Sequence, residues 1–142
     1  MMENAHSATL VRLKDTDLVV GDDQVDVRGM DVVDRSGAEV GDVDGLLVDE
    51  AERKVRFLQV GSGGFLGLGE KKQLIPVEAI VEVGDGRVKI DQDREQVAGA
   101  PVYDPDLVPA PQPDYYEGVY GYYGYAPFWT PGYTYQGYPR QI

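Results

Sequence analysis

The sequence predicts an all-β fold, a small β-barrel of about six strands followed by an extended Pro/Tyr-rich C-terminal segment. Three observations carry this expectation. From Leu10 to Ile90, short runs rich in Val, Leu and Ile alternate with turn signals at close spacing. The chain carries 18 glycines, which let a short sheet curl on itself and so close or cover its edges. Composition then changes abruptly after Ala100, since eight of the nine prolines and all ten tyrosines lie beyond it. The expected division is a small polar leader over 1–9, a barrel domain over 10–100 and a Pro/Gly/Tyr-rich extension over 101–142.

Within the barrel, Val25 to Val33 reads as a strand that reverses at Asp34-Arg35-Ser36-Gly37, where Gly37 supplies a positive φ. Glu39 to Val48 begins with Val40 and Val43 in alternation and ends on the apolar Leu46-Leu47-Val48, with Gly41 and Gly45 expected at bulges. A polar turn at Asp49 to Lys54 leads into Val55 to Val60, completing a second hairpin. Beyond the glycine-rich Gly61 to Gly69, the short strand Gln73-Leu74-Ile75 must end or lie at an edge at Pro76, because proline offers no ladder N–H. Val77 to Ile80 reads as one helical turn, and Ile80 to Val83 and Arg87 to Ile90 flank Gly84-Asp85-Gly86, which suits a tight hairpin. Asp91 to Val97 is expected to be a short helix with Asp93 near its start.

Composition excludes several function classes. A net charge of −12, with the Lys and Arg scattered, disfavours contact with a phosphate backbone, so nucleic acid is not expected as a partner. The absence of cysteine removes disulfides, thiolate metal sites and a cysteine nucleophile. No run approaches the ~18 apolar residues that span a bilayer, and a cytoplasmic protein without a transmembrane segment is expected. The loop Gly64-Phe65-Leu66-Gly67-Leu68-Gly69-Glu70-Lys71 imitates a phosphate-binding loop, but Glu70 stands where Lys is needed and no hydroxyl follows Lys71. Its Phe65 and Leu66 read instead as an apolar contact. Among the acidic clusters, Asp22, Asp23 and Asp26 are the weak candidates for a cation, since the Asp42-Val43-Asp44-Gly45 run places its glycine too early for a calcium loop. His6 stands alone, and neither catalytic residues nor a cofactor are expected: the chain does not read as an enzyme.

The aromatic extension is the least ordinary feature. Ala110 to Pro113 reads as an extended spacer. In Asp114 to Tyr125, the residues Tyr115, Val119, Tyr122 and Tyr123 fall at near-helical spacing, but Gly118, Gly121 and Gly124 each weaken a helix by ~1 kcal/mol, so a frayed helix held by docked rings is the most expected. The rings either fold back on the barrel or serve a partner, Tyr and Trp being enriched at interface hot spots.

Taken in order, Arg28-Gly29, Val32-Val33, Asp34 with Gly37, Val40-Gly41 with Val43, Leu47-Val48-Asp49, Gly63-Gly64-Phe65-Leu66-Gly67 and Ile75-Pro76 resemble a PRC-barrel domain over roughly Gln24 to Ile90. Ala98 to Asp106 and the later tyrosine-rich run resemble the extension of stand-alone bacterial members. The resemblance implies the barrel shared by the cytoplasmic domain of the photosynthetic reaction-centre H subunit and the C-terminal domain of a ribosome-maturation factor. Such barrels act mostly as adaptor or assembly surfaces. The expected function is therefore a non-enzymatic adaptor that binds an unidentified protein, or itself as a homodimer or larger assembly, through Phe65, Leu66, Tyr122, Tyr123 and Trp129. The alternatives are an accessory subunit of a membrane electron-transfer or photosynthetic complex, held peripherally at the inner membrane face with Asp42 and Asp44 passing protons, or a ribosome-assembly factor.

Overall fold

The computed structural model describes residues 10–12, 26–49, 54–62, 71–102 and 113–132. Among the described residues, seven strands make one sheet: β1 (Leu10–Arg12), β2 (Asp31–Val33), β3 (Glu39–Asp49), β4 (Lys54–Ser62), β5 (Lys71–Pro76), β6 (Ile80–Gly84) and β7 (Arg87–Ile90). Their order is β5-β4-β3-β2-β7-β6, with β1 beside β3 off this path. The strand beyond the expected number is β1, too short to announce itself in the sequence.

The long β3 organises the sheet. Along one edge it pairs with β4, while its other edge is shared by β2, with Asp31 opposite Asp42, and β1, with Leu10 opposite Asp49. Every ladder is antiparallel except β2 with β7. Four register breaks among the described ladders let the sheet twist and bend, one of them leaving Val81 as the extra residue between the pairs made by Ile80 and Glu82. Val40 is the extra residue between the pairs made by Glu39 and Gly41, Asp44 between those of Val43 and Gly45, and Arg56 between those of Val55 and Phe57. Gly41 and Gly45 thus border bulges, as their positions suggest.

The turns follow local chemistry. Gly37 has φ 91° and its N–H donates to Asp34 O at 2.9 Å. Between β6 and β7, Asp85 and Gly86 take φ of 54° and 75°, the two positive values a two-residue primed turn requires. The strand expected over Val25 to Val33 is shorter, because Met30 N–H donates to Val27 O at 3.0 Å and Gly29 has φ 87°, so a turn occupies the residues before Asp31. Pro76 ends β5, and a single 3-10 turn, Val77–Ala79, leads into β6.

Two α-helices follow: α1 (Arg94–Ala98), with Asp93 at its N-cap, and α2 (Pro113–Tyr123). The frayed helix expected from the glycines is instead continuous. Tyr116, Val119, Tyr120 and Tyr123 are buried at helical spacing, whereas Glu117, Gly118 and Gly121 face outward. Packing outweighs propensity, and Gly124, at φ 87°, closes the helix with its N–H on Tyr120 O at 2.9 Å.

The core extends to both sides of β4. All residues from Val55 to Gly61 are buried. Cross-strand partners share a face, so Leu46, Leu58 and Ile75 project to one side and Leu47 and Phe57 to the other. Phe57 stacks with Tyr116 and meets Tyr120 at a tilt, so the second side is the one that α2 covers.

Candidate interaction site

The surface that brings the described aromatic residues together is the covered side of β4. Phe57 lies with its ring centre 5.5 Å from Tyr116 and 4.9 Å from Tyr120. Tyr120 continues edge-on to Trp129 at 6.0 Å, and Trp129 meets Phe128 edge-on at 5.0 Å. The Phe57–Tyr116 pair is stacked and the two Trp129 pairs are edge-to-face, the arrangements that aromatic quadrupoles favour, while Phe57 and Tyr120 are tilted at 47°.

Beneath Phe128 lies a buried charge. The Arg56 guanidinium carbon is 4.1 Å from the Phe128 ring centre, and its Nη2 is 3.5 Å from Asp49 Oδ2. The two side chains are 1% and 0% exposed. Because Arg56 is the extra residue of a bulge, its neighbours Val55 and Phe57 keep their places in the ladder while the guanidinium lies between Asp49 and the aromatic cover.

The cover is tied down by polar contacts as well. Tyr122 OH donates to Gln96 O at 2.7 Å, and Gln96 Nε2 returns a bond to Tyr122 O at 3.2 Å, which joins α1 to α2. Tyr115 OH donates to Val102 O at 3.3 Å, and Gln92 Nε2 donates to Tyr125 OH at 3.3 Å. From β5, Gln73 Nε2 reaches Ala98 O at 3.2 Å and Ala100 O at 3.4 Å, fixing the chain that leaves α1. Burial, with smaller contributions from Tyr122 and Tyr115, pushes the Tyr123 phenol above the ordinary tyrosine value, so it is neutral throughout the physiological range.

A family model for the PRC-barrel domain matches residues 22–97, more than half of the 142-residue chain. The chain belongs to the PRC-barrel domain family. No curated relative matches it. The family match ends at Val97, so α2 and the rings through Trp129 lie outside the matched part of this PRC-barrel protein and rest on it.

The residues expected at a site fall into different settings. Phe65, Leu66, Asp22 and Asp23 lie outside the described residues. Asp26 is engaged by Arg28, whose Nη2 is 2.6 Å from Oδ2 and whose Nε is 2.9 Å from Oδ1; that hydrogen bonding holds the Asp26 carboxyl below its usual range. Asp44 is ion-paired with Lys72. Among the described residues, no group of three acidic or histidine side chains is placed to hold a metal ion. Tyr122 is at the surface, 36% exposed, whereas Tyr123 is 5% exposed and sits under the cover. Trp129 is half-buried against Tyr120 and Phe128. The inward stripe is thus Tyr116, Val119, Tyr120 and Tyr123, rotated from the Tyr115, Val119, Tyr122, Tyr123 set that spacing alone suggests. Sequence reasoning also missed Arg56 and Asp49, and the available signal was an arginine inside the otherwise core-forming Val55 to Val60 run.

Asp34 connects the β2–β3 turn to α1. Its Oδ1 accepts from Ser36 N at 2.8 Å, Ser36 Oγ at 2.7 Å and Ala38 N at 2.9 Å, and its Oδ2 accepts from Arg94 N at 2.9 Å. The Ser36 hydroxyl foremost, then the Ala38, Arg94 and Ser36 N–H groups, outweigh burial and hold the carboxyl well below the ordinary 3.8. Since the folded-state value is depressed, its stabilising contribution is complete above the unfolded value and is lost as pH falls below it toward the folded value. Thermal melts from about pH 6 to about pH 3 should therefore show a loss of stability at the acid end. In Asp34→Asn the melting temperature should be lower at the neutral end and should depend less on pH.

Gly99 allows α2 to approach α1. A Cβ there would stand 2.8 Å from Tyr122 OH, which is already fixed on Gln96 O. In Gly99→Ala the overlap should be relieved by the exposed Tyr122 ring moving outward, at the cost of its bond to Gln96 O, so a loss of about 0.5–1.5 kcal/mol in denaturant unfolding is expected. In a Tyr122→Phe background, which removes the atom that is too close, most of that cost should disappear.

Proposed function

We propose that this PRC-barrel protein is a non-enzymatic interaction module that recognises protein through its barrel and the outward side of the aromatic segment that β4 holds in place. The observation that carries this reading is the packing of α2 and the following rings on Phe57 and Arg56, which gathers the anchor types concentrated at protein interfaces, Tyr, Trp and Arg. The buried polar side chains support it. Asp34, Gln73 and Gln92 each join one segment of the chain to another, work that suits a scaffold. The described residues contain no helix long and apolar enough to cross a membrane.

The test is a native pull-down from soluble and membrane fractions with the full chain, beside a full-length Tyr120→Ala/Phe128→Ala variant. Loss of a specific protein from the variant, with the β-sheet circular dichroism retained, is the expected result. Retention of the same protein by both would place recognition on the rest of the barrel and contradict the proposal. A full-length variant is preferable to a chain ending at Ala100, because removing α2 would bare Phe57 and create a non-specific apolar surface.

A further inference from the structure

We infer that the outward face of α2, where Tyr115, Gly118 and Tyr122 lie in line beside the end of α1, docks an arginine-rich segment of a protein partner. The inference rests on the reading above and names the partner's chemistry.

Helix positions three and seven apart share a face, so Tyr115 and Tyr122 stand on either side of Gly118. Both rings are held by their tips, Tyr115 OH on Val102 O at 3.3 Å and Tyr122 OH on Gln96 O at 2.7 Å, so their places are set before anything docks. Gly118 between them is exposed, and a Cβ there would meet nothing within 4 Å. No internal contact therefore requires glycine, although it weakens the helix relative to alanine. Its effect is to leave helix backbone open between two rings. Val102 and Tyr122, two of the three large apolar side chains exposed among the described residues, border this face, and the exposed Ala98 and Gly99 continue it onto α1.

Charge decides the occupant. From Glu95 to Pro139 the sequence has five carboxylates and no Lys, Arg or His. Neither α1 nor α2 carries a basic residue in its last turn, where the helix dipole favours one. Glu95 and Glu117 are exposed on these two helices. A cationic segment supplies what the face lacks. Arginine suits it better than lysine, because a flat guanidinium stacks on a tyrosine ring while donating to a carboxylate. The chain already uses that arrangement where Arg56 lies against Phe128 beside Asp49. The other occupants meet repulsion: a second copy brings another net charge of −12, and a nucleic acid or an anionic lipid surface brings further negative charge.

The test is fluorescence anisotropy of a labelled Arg-Gly repeat peptide with the full-length protein at about 0.15 M salt, where long-range attraction is screened. Gly118→Leu fills the floor between the rings, keeps the net charge and sits outward on the helix, so its melting temperature should be unchanged or higher. Saturable binding is expected, weakened about tenfold by Gly118→Leu, the size of one desolvated cation–π contact. Glu117→Gln, which removes a charge and keeps the shape, should weaken it about threefold. No binding, or the same affinity in both variants as in the native protein, would overturn the inference, the second result because the general acidic field would then hold the peptide. A dimer in sedimentation velocity that Gly118→Leu dissociates would assign the face to a second copy and overturn it too. Failure of the peptide alongside a specific protein captured in the pull-down removes the arginine-rich partner and leaves the interaction module standing, whereas failure of both removes the module as well.

Discussion

Phe57→Ala is expected to lower stability by about 3–5 kcal/mol, the range for removing a fully buried phenylalanine, and to loosen α2 from the sheet. Phe57 is 0% exposed and lies against both Tyr116 and Tyr120, so its loss leaves a cavity at the centre of the contact rather than at its rim. A domain of this size is stable by only about 5–15 kcal/mol, so the change removes a large share of the total. Trp129, the single tryptophan, packs against Tyr120 and Phe128 and reports the cover directly. Its emission should move to longer wavelength in Phe57→Ala before the sheet melts. Phe57→Leu, which keeps most of the volume, should show a smaller loss and little spectral change.

The second large effect concerns the buried ion pair. Arg56→Ala should cost about 3–5 kcal/mol, because it leaves the Asp49 carboxylate in a site that excludes water and removes the cation from the face of Phe128. Asp49→Ala should be comparably damaging for the converse reason. Removing both charges together is different. Arg56→Met with Asp49→Leu exchanges a buried pair for apolar groups, a change that is often neutral or stabilising. Urea unfolding of the two single variants and the double variant should therefore give a strongly non-additive cycle, with the double variant nearer the native protein than either single one. Additive losses would show that the two side chains do not act as a pair.

Much of the barrel was legible because its determinants are local. Alternation in Glu39 to Val48, the proline after Ile75, and the Asp85-Gly86 pair with its two positive φ values each fix an element from a few adjacent residues. β1 was hidden because three residues carry no periodicity, and its existence depends on pairing with the far end of β3. The site was less legible for the same physical reason. Phase along α2 is decided by what lies under it, and the sequence around Gly118 and Gly121 gives two stripes of nearly equal apolar character. Phe57 selects the one containing Tyr116 and Tyr120 from about sixty residues away in the chain. Arg56 reads as a surface residue in an alternating strand until the bulge and the cover are both in place. Asp34 shows the boundary well: its role in the Ser36 turn follows from neighbouring residues, but its bond to Arg94 N does not.

The central claim is that the aromatic segment beyond the matched family domain covers the side of β4 that carries Phe57. It is tested most directly by nuclear Overhauser contacts in the full-length protein between the Phe57 ring and the rings of Tyr116 and Tyr120. The structure predicts strong contacts to both, with ring-current-shifted resonances for all three side chains. Absence of those contacts, with Tyr116 and Tyr120 at random-coil shifts while the sheet remains folded, would contradict it.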